Sequence, residues 1–375
     1  MFTDWYEPGY KAGGPIPACR NIVDALKDRY EFYIFTSDRD LGDRTPYQNI
    51  RADQWMNQSP GVNIWYASPA FHSKKNLRRL FDQVKADFIY FNSMFSFRFT
   101  LFPLWVLLSD RYSGKIILAP RGMLHQGAIE RKSWKKNIFL LLFKIAGWHK
   151  KVQFQATDQQ ELSDLLFFFG KGISALLVSD IPNLFKKEWQ PIEKRAGELK
   201  CIFISRVAPK KNLDYFLERL GEISKELQVN LDIYGLEEDL AYSALCKRLI
   251  SSLHQGVQVE FKGPLPSQQV FDALNHYHIF VLPTKGENFG FAIVEALSAG
   301  KPVLISDQTP WRGLQAKQLG WDLPLDEPKR FSQAIEQAAG FEQLQYDQWS
   351  QHAWKFASDY GHSLNLKEDY YKLFR

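Results

Sequence analysis

Two glutamates, Glu287 and Glu295, stand eight positions apart in the segment GENFGFAIVEALSAGKPV at residues 286–303. The apolar pattern predicts a helix that begins near Phe289 or Gly290 and ends before the glycine of the SAGK turn. Because the first amides of a helix have no partner within it, this start would attract a phosphate, and a glycine there would let the ligand approach. Glu295 would lie about 7 to 8 Å along the helix. The two carboxylates would therefore bracket a diphosphate.

A carboxylate on each side suits a nucleotide sugar, since ribose and hexose both offer vicinal hydroxyls. The spacing alone is more typical of a surface helix with one acid near its start and one solvated glutamate, so the neighbouring residues have to support the site. Arg206 and Lys211, in SRVAPKKNLD, flank a turn that follows a strand and would reach the same carboxyl edge. They could neutralise the two phosphates and stabilise a leaving diphosphate without a metal ion. Ordinary solvated loop charge is the alternative.

Short β-branched or aromatic runs alternate with amphipathic stretches, which is typical of parallel sheets covered by helices. One series of strands ends near residue 179. A polar stretch with Pro191 follows, and a second series begins at KCIFISRV. The pattern predicts the following division: a first domain at 1–182, a linker at 183–199, a second domain at 200–345 and a helical segment at 346–375 that crosses back to the first domain.

Composition excludes several classes of protein. The 375 residues include 45% hydrophobic and 24% charged residues, which is ordinary for a globular protein. The three cysteines are scattered, so neither a disulfide framework nor a metal site is indicated, and we expect a reducing cytoplasm. The sequence shows no signal segment and no span of 18 apolar residues. We expect no nucleic-acid partner.

The net charge of +5 is unevenly distributed. Residues 1–180 carry 24 basic and 17 acidic residues, which leaves 23 basic and 25 acidic residues for the rest of the chain. Residues 131–151 alone hold seven Lys or Arg and no acid, around apolar positions. The segment predicts either a buried helix with solvated ends or a surface that docks on anionic lipid. The aromatic runs at 102–108 and 164–170 are interpreted as packing residues.

The first strand is unusually short, because only MFT precedes a turn that contains Gly13 and Gly14. We expect either a stub strand or a natural start a few residues upstream, since a truncated central strand leaves its neighbours' backbone groups unpaired.

The segments SRVAPKKNLD, IYG, FKGPLP, LPTKGENFGFAIVEALSAGKPVL and TPWRGL, in this order and spacing, resemble the nucleotide-binding domain of retaining glycosyltransferases of the GT-B fold, family 4. In the first half, PGYKAGGP, FNSMFS and APRGMLHQGAIERKSWKK are similar to the acceptor domain of bacterial members that build polysaccharides. The resemblance covers nearly the whole chain. It implies an α/β protein with two Rossmann-like doubly wound domains that face a central cleft.

The resemblance also implies roles for the motif residues of the second half. Glu287 would face the donor sugar at the reaction centre, and Glu295 would hold the ribose hydroxyls. Arg206 and Lys211 would hold the diphosphate. The donor-binding set at the start of the helix would consist of Asn288, Phe289 and Gly290.

In the first half, Gly13 and Gly14 match the glycine loop that approaches the donor phosphate or the acceptor. Many relatives carry a histidine after the fourth strand, where this sequence has Arg121, which cannot shuttle protons at neutral pH. We interpret Arg121 as a contact to phosphate or acceptor, with a structural ion pair as the alternative. His125 and Asn92 are further candidate acceptor contacts, although a loop histidine and a turn asparagine are more often simply polar residues.

The resemblance thus implies a retaining, metal-independent glycosyltransferase without cofactors. It would move a sugar from a nucleoside-diphosphate sugar to a bacterial surface glycan or a polyprenyl-diphosphate-linked saccharide. We expect it on the inner face of the cytoplasmic membrane, with residues 131–151 against anionic lipid. The alternatives are a nucleotide-sugar epimerase or sugar phosphorylase of the same fold, or a non-catalytic nucleotide-sugar-binding subunit of a synthase complex.

Overall fold

The computed structural model describes residues 1–110, 112–125, 133–185, 187–363 and 365–375, without the side chains of Ser133, Lys135, His362 and Ser363. The strands, in chain order, are β1 (Phe32–Ser37), β2 (Trp55–Ser59), β3 (Val62–Ala67), β4 (Phe88–Phe91), β5 (Lys115–Leu118), β6 (Gln153–Ala156), β7 (Ser174–Leu177), β8 (Glu198–Ile204), β9 (Gln228–Tyr234), β10 (Val257–Gly263), β11 (Ile279–Leu282), β12 (Val303–Ser306) and β13 (Gly320–Leu323). The α-helices of the described residues are α1 (Pro15–Leu26), α2 (Lys74–Val84), α3 (Phe102–Ser109), α4 (Ser133–Ile145), α5 (Gln159–Phe169), α6 (Leu213–Leu220), α7 (Leu240–Ser251), α8 (Val270–Leu274), α9 (Phe291–Ser298), α10 (Pro328–Gly340), α11 (Gln343–Ser363) and α12 (Leu366–Phe374).

The chain divides into two compact units. The first unit combines Met1–Ile181 with Asn365–Arg375, and the second is Pro182–Leu364. Residues 183–199, interpreted above as a linker, are therefore counted with the second unit, where β8 already begins at Glu198. The return to the first unit involves α12, whereas α11 stays with the second unit.

Strands of the first unit follow the order β1-β3-β2 and β4-β5-β6-β7. All of these strands pair in parallel except β2, which is antiparallel to β3 and was not expected from the sequence. The short N-terminal segment lies between the two groups, because Phe2 forms parallel bridges to both Phe35 of β1 and Phe91 of β4. MFT thus acts as a stub strand that joins the two halves of one sheet.

Side chains alternate between the two faces of this sheet, and each face has its own core. Ile116 and Leu118 of β5 pack with α2, α3, α4 and α5, whereas Ile117 between them packs with α1 and α12. This alternation follows from the two-residue period of a strand. The helices α2 to α5 therefore form one outer layer of the first unit.

The second unit has a six-stranded parallel sheet in the order β10-β9-β8-β11-β12-β13. Its central strands β11 and β12 are buried along their whole length, as expected when helices cover both faces. From β8 the chain adds β9 and β10 on one side and then β11, β12 and β13 on the other, so the strand order reverses between β8 and β11. In open α/β sheets, ligands bind beyond the carboxyl ends of the strands at such a switch point. In the described ranges, no helix has both the length and the apolar character needed to cross a bilayer.

Candidate functional site

The helix α9 begins directly after Gly290, at the carboxyl edge of the second sheet. Gly290 has φ of 78°, a left-handed conformation that glycine adopts without strain. A Cβ at this position would lie 2.8 Å from Cδ1 of Ile293. The entry into the helix therefore favours a glycine. The amide of Ile293 donates to the carbonyl of Gly290 at 2.9 Å, which leaves the two amides before it without an acceptor within the helix. This is the predicted anion-attracting helix start.

Glu287 and Lys211 form an ion pair beside this helix start. Lys211 follows β8, and Glu287 follows β11, so two neighbouring parallel strands bring the residues together at one edge. Their side chains keep only 14% and 13% of their accessible surface. Because 76 residues separate them in sequence, the pair exists only through the sheet.

The residues around the pair determine the protonation state of Glu287. Burial opposes ionisation of Glu287, but the ammonium of Lys211, the nearby Lys210 and a hydrogen bond from Thr284 outweigh it, so the pKa of Glu287 is held below its ordinary value. Glu287 is therefore a carboxylate at neutral pH. A charged acceptor that cannot be protonated easily suits hydrogen bonding to sugar hydroxyls.

Backbone contacts hold the loop that carries Glu287. The amide of Glu287 donates to the carbonyl of Gln308 at 2.9 Å, and the amide of Lys285 donates to the carbonyl of Lys210 at 2.8 Å. The indole of Trp311 donates to the carbonyl of Phe289 at 2.6 Å. Hydrogen bonds thus connect the loops after β8, β11 and β12 around the start of α9.

Arg206 follows β8 at the expected edge, but its side chain contacts a different acid from that of Lys211. Its guanidinium pairs with Glu238, beyond the end of β9, at 2.7 Å, and both side chains are about one third exposed. Lys211 turns toward Glu287, so the structure does not bring the two expected diphosphate cations to a common partner. An exposed ion pair is weak, and the Arg206 side chain can exchange its partner at little cost.

Glu295 lies on the second turn of α9 and is partly exposed. At 1.5 Å per residue it stands roughly 7.5 Å along the helix from Gly290, which agrees with the predicted spacing. Asn288 and Phe289 lie in the turn before the helix, and Phe289 is buried against Trp311. The Phe289 ring thus packs the turn, so only its backbone would face a ligand.

In the first unit, the turn with Gly13 and Gly14 leads into α1. Gly13 has φ of 68°, and Gly14 is the residue that precedes the first helical turn. The preceding loop is fixed by the buried carboxylate of Asp40, which accepts from the amides of Tyr10 at 2.8 Å and Lys11 at 3.1 Å. The sequence reasoning missed Asp40, although an acid placed just after a strand was a usable signal.

Arg121 is a buried structural residue in this structure. It pairs with Asp180, and the two side chains keep 8% and 2% of their surface. Its Nε donates to Oδ1 of Asn92 at 2.7 Å, and Nη2 donates to the hydroxyl of Tyr90 at 2.7 Å. Asn92 in turn donates to the carbonyl of Pro15 at 3.2 Å.

The interpretation of Arg121 and Asn92 as acceptor contacts stays a prediction, and these contacts do not support it. Both side chains are engaged by protein groups, so the alternative of a structural ion pair describes Arg121. The sequence could not decide between the two alternatives for Arg121, because its partner Asp180 lies 59 residues further along the chain and no local spacing indicates the pair. The network ties β4, β5 and the start of α1 into one unit.

His125 is the expected acceptor-side residue that remains partly exposed, and its Nδ1 is paired with Asp164 of α5. The same helix supplies Glu161, whose buried carboxylate accepts from the amides of Gly122 at 2.6 Å and Thr157 at 2.8 Å. Burial raises the pKa of Glu161. Two acids of α5, both missed from the sequence, therefore hold the loop that carries His125. Residues 126–132 lie outside the described residues.

Comparison with solved structures identifies the architecture. The sucrose-phosphate synthase tll1590 from Thermosynechococcus elongatus aligns with a TM-score of 0.72 over 96% of this chain and 94% of its own, at 17% identity. WaaG, a glycosyltransferase involved in lipopolysaccharide biosynthesis, gives 0.66 over 99% and 97%, at 11% identity. Anabaena Alr3699/HepE, solved with UDP and glucose, gives 0.62 over 100% and 98%, at 13% identity. The chain has the GT-B fold, as the sequence resemblance implied.

Comparison with protein families finds a match in the second half of the chain. Residues 185–348 match the family model of glycosyl transferases group 1. A curated relative, the UDP-N-acetylglucosamine--peptide N-acetylglucosaminyltransferase GtfA subunit of Streptococcus parasanguinis, is 28% identical over 101 residues. These cover 27% of this chain and 19% of that relative, so the chain matches only about a fifth of the relative's length. The family match includes Glu287, Glu295, Lys211 and Arg206.

Proposed function

We propose that this protein is a retaining glycosyltransferase that moves a sugar from a nucleoside-diphosphate sugar to a bacterial surface glycan or a lipid-linked saccharide. The observation that carries the proposal is the ionised Glu287, paired with Lys211 beside a helix that begins directly after Gly290. The match of residues 185–348 to glycosyl transferases group 1 supports it. A UDP-sugar is the first donor to test, because HepE was solved with UDP and glucose.

The donor would lie along the first turns of α9. Its diphosphate would receive hydrogen bonds from the first amides of the helix, with the positive end of the helix dipole behind them. Glu295 would accept from the ribose hydroxyls and Glu287 from the hydroxyls of the transferred sugar. The two acids would then lie on either side of the diphosphate.

Lys211 would stabilise the leaving group. An ammonium has three N–H donors, and Glu287 takes one of them, so the others can reach a phosphate oxygen. As the glycosidic bond breaks, negative charge grows on the diphosphate, and this charge is what Lys211 and Arg206 would neutralise. Arg206 would have to leave its exposed pair with Glu238, which costs little.

The departing phosphate oxygen would take the proton of the acceptor hydroxyl. The acceptor oxygen would attack the same face of the sugar, so that the anomeric configuration is retained. Such a reaction needs neither a strong protein base nor, in this proposal, a metal ion, because the cations and the helix start carry the charge.

Purified protein should first be incubated with UDP-glucose and UDP-N-acetylglucosamine, and bound donor should be identified by mass spectrometry. Labelled donor should then be followed with and without a saccharide acceptor. Transfer that depends on the acceptor supports the proposal. Turnover of donor alone would indicate an epimerase, and donor binding without any turnover would indicate a non-catalytic subunit.

The roles of the two acids separate kinetically. Glu287→Ala should lower kcat by two orders of magnitude or more, roughly the effect of removing one group that contacts the reacting centre. Glu295→Ala should act mainly on KM for the donor, because it contacts a part of the donor that does not react. Glu342→Ala, at an exposed glutamate just before α11, is the matched control. Near-normal turnover in Glu287→Ala would exclude the assignment.

A further inference from the structure

The outer face of α4 carries a row of exposed apolar side chains. Trp134, Ile138, Leu141, Leu142 and Ile145 keep between 49% and 73% of their surface. Their spacing of four, three, one and three residues places them on one side of the helix. The opposite side, with Phe143, is buried in the core. This apolar stripe therefore lies outside the core of the first unit.

Exposed aromatic residues flank the stripe on both sides. On one side, Phe139 of α4 contacts Phe95, and two residues further along the chain Phe97 is exposed. On the other side, Nζ of Lys144 lies 3.4 Å from the carbonyl of Phe168 in α5, next to the exposed Phe167. Phe97 and Phe167 thus extend the apolar surface, whereas Leu165 and Phe169 of the run 164–170 pack in the core, as interpreted from the sequence.

Cations surround this surface. Nζ of Lys74 in α2 lies 4.4 Å above the ring of Trp105, an exposed residue of α3. Among the side chains that the structure describes, the cations of α2, of α4 and of the turn after α4 are Lys74, Lys75, Arg78, Arg79, Lys136, Lys144, Lys150 and Lys151. Arg78 is paired with Asp110, whereas residues 131–151 contain no acid at all.

We propose that the outer layer formed by α2, α3, α4 and α5 is a docking surface for an anionic membrane, with the stripe on α4 inserted among the lipid headgroups. A helix with Trp and Leu on one face and Lys around it is the type that lies in a membrane interface. The basic residues of α2 supply further attraction to anionic lipid.

Charge also argues against a second copy of this chain as the occupant. A symmetric dimer through the stripe would bring the same basic surface from both copies together. Like charges in an interface disfavour such a contact. The surface, which combines apolar insertion with a positive rim, fits an anionic bilayer.

Vesicle sedimentation tests the surface directly, in the absence of donor and acceptor. At low salt, the protein should sediment with vesicles of phosphatidylcholine containing about 30% phosphatidylglycerol and should stay in solution with pure phosphatidylcholine. Raising the salt from about 50 to 300 mM should weaken the binding severalfold. Failure to bind anionic vesicles at low salt would overturn the proposal and would leave the transfer activity untouched.

Two pairs of variants separate charge from apolar insertion. Lys150→Gln with Lys151→Gln should weaken binding roughly 25-fold, at about fivefold per charge, whereas Lys225→Gln with Lys329→Gln in the second unit should not. Leu141→Ser with Ile145→Ser should weaken it at least tenfold, with Leu240→Ser and Leu344→Ser as exposed controls. Wild-type binding by the stripe variant would overturn the proposal.

A fluorescent probe on the stripe measures insertion into the membrane, and light scattering tests for a dimer. The native cysteines Cys19, Cys201 and Cys246 are all buried, so a single Leu141→Cys variant can be labelled with a polarity-sensitive dye. Its emission should shift to the blue on anionic vesicles, and that of Leu344→Cys should not. Light scattering should show the wild-type protein as a monomer at all concentrations, with no dimer that is lost in the Leu141→Ser, Ile145→Ser variant. Such a dimer without vesicle binding would contradict the proposal.

Discussion

Replacement of Lys211 by methionine tests the electrostatics of the site most directly. Methionine preserves the unbranched stem but removes the ammonium that pairs with Glu287. Breaking a buried pair by removing one partner costs about 3–5 kcal/mol. Both side chains here keep some solvent contact, and Lys210 and Thr284 remain, so we expect about 2–3 kcal/mol at pH 7.

The loss should depend on pH in a defined direction. In the native protein the pKa of Glu287 lies below its ordinary value, so the group stabilises the fold above its unfolded pKa and ceases to do so as the pH falls through the folded pKa. Without Lys211, burial dominates and the pKa of Glu287 rises. The variant then holds a charge that burial disfavours at pH 7 and is relieved by protonation at lower pH. The difference between the proteins should therefore shrink toward pH 4–5.

Urea unfolding followed by circular dichroism at pH 7 and pH 5 measures both quantities. The Glu287→Gln background is the control, since a neutral amide removes the charge that Lys211 neutralises. Lys211→Met should cost clearly less in that background. An equal loss at both pH values, or an equal loss with and without the carboxylate, would refute the electrostatic account of the pair.

Two further substitutions test the packing around the sites. Asp180→Asn should destabilise the protein by about 3–5 kcal/mol, because it leaves the charge of Arg121 buried without its partner. In thermal unfolding, the exposed Asp369→Asn should cost less than about 1 kcal/mol, and similar effects of the two changes would contradict a buried pair. Gly290→Ala should cost about 1–3 kcal/mol through its positive φ and a Cβ placed 2.8 Å from a neighbouring isoleucine. The same change at Gly340, where a Cβ meets nothing, should be nearly neutral, and a neutral effect at Gly290 would show that the helix start tolerates a side chain.

The sequence predicted the strands of both sheets well, because a buried parallel strand is a continuous apolar run and a local property of the chain. It missed β2, a polar antiparallel strand at the edge, and β13, whose GWDL carries only a short apolar signal. It also predicted where α9 begins, since the glycine that this start favours is visible in the sequence.

In the candidate site, too, some features could be predicted from the sequence and others could not. The spacing of Glu287 and Glu295 and the position of Gly290 are set by one continuous segment, so the sequence by itself determined them. Tertiary structure decided the partners: Lys211 pairs with Glu287, whereas Arg206 pairs with Glu238. Which charges meet depends on the strand order, and local spacing does not encode that order.

The first unit shows the same limit. Arg121 and the basic segment 131–151 are visible in the sequence, but burial in the folded protein determines the structural role of each. Asp180, distant along the chain, makes Arg121 structural, while the packing of α4 on the sheet leaves Trp134 and Leu141 exposed. Helical periodicity determines that a helix has an apolar face. Only the neighbouring layers of the fold determine whether that face meets the core or remains at the surface, because burial is a property of the assembled molecule.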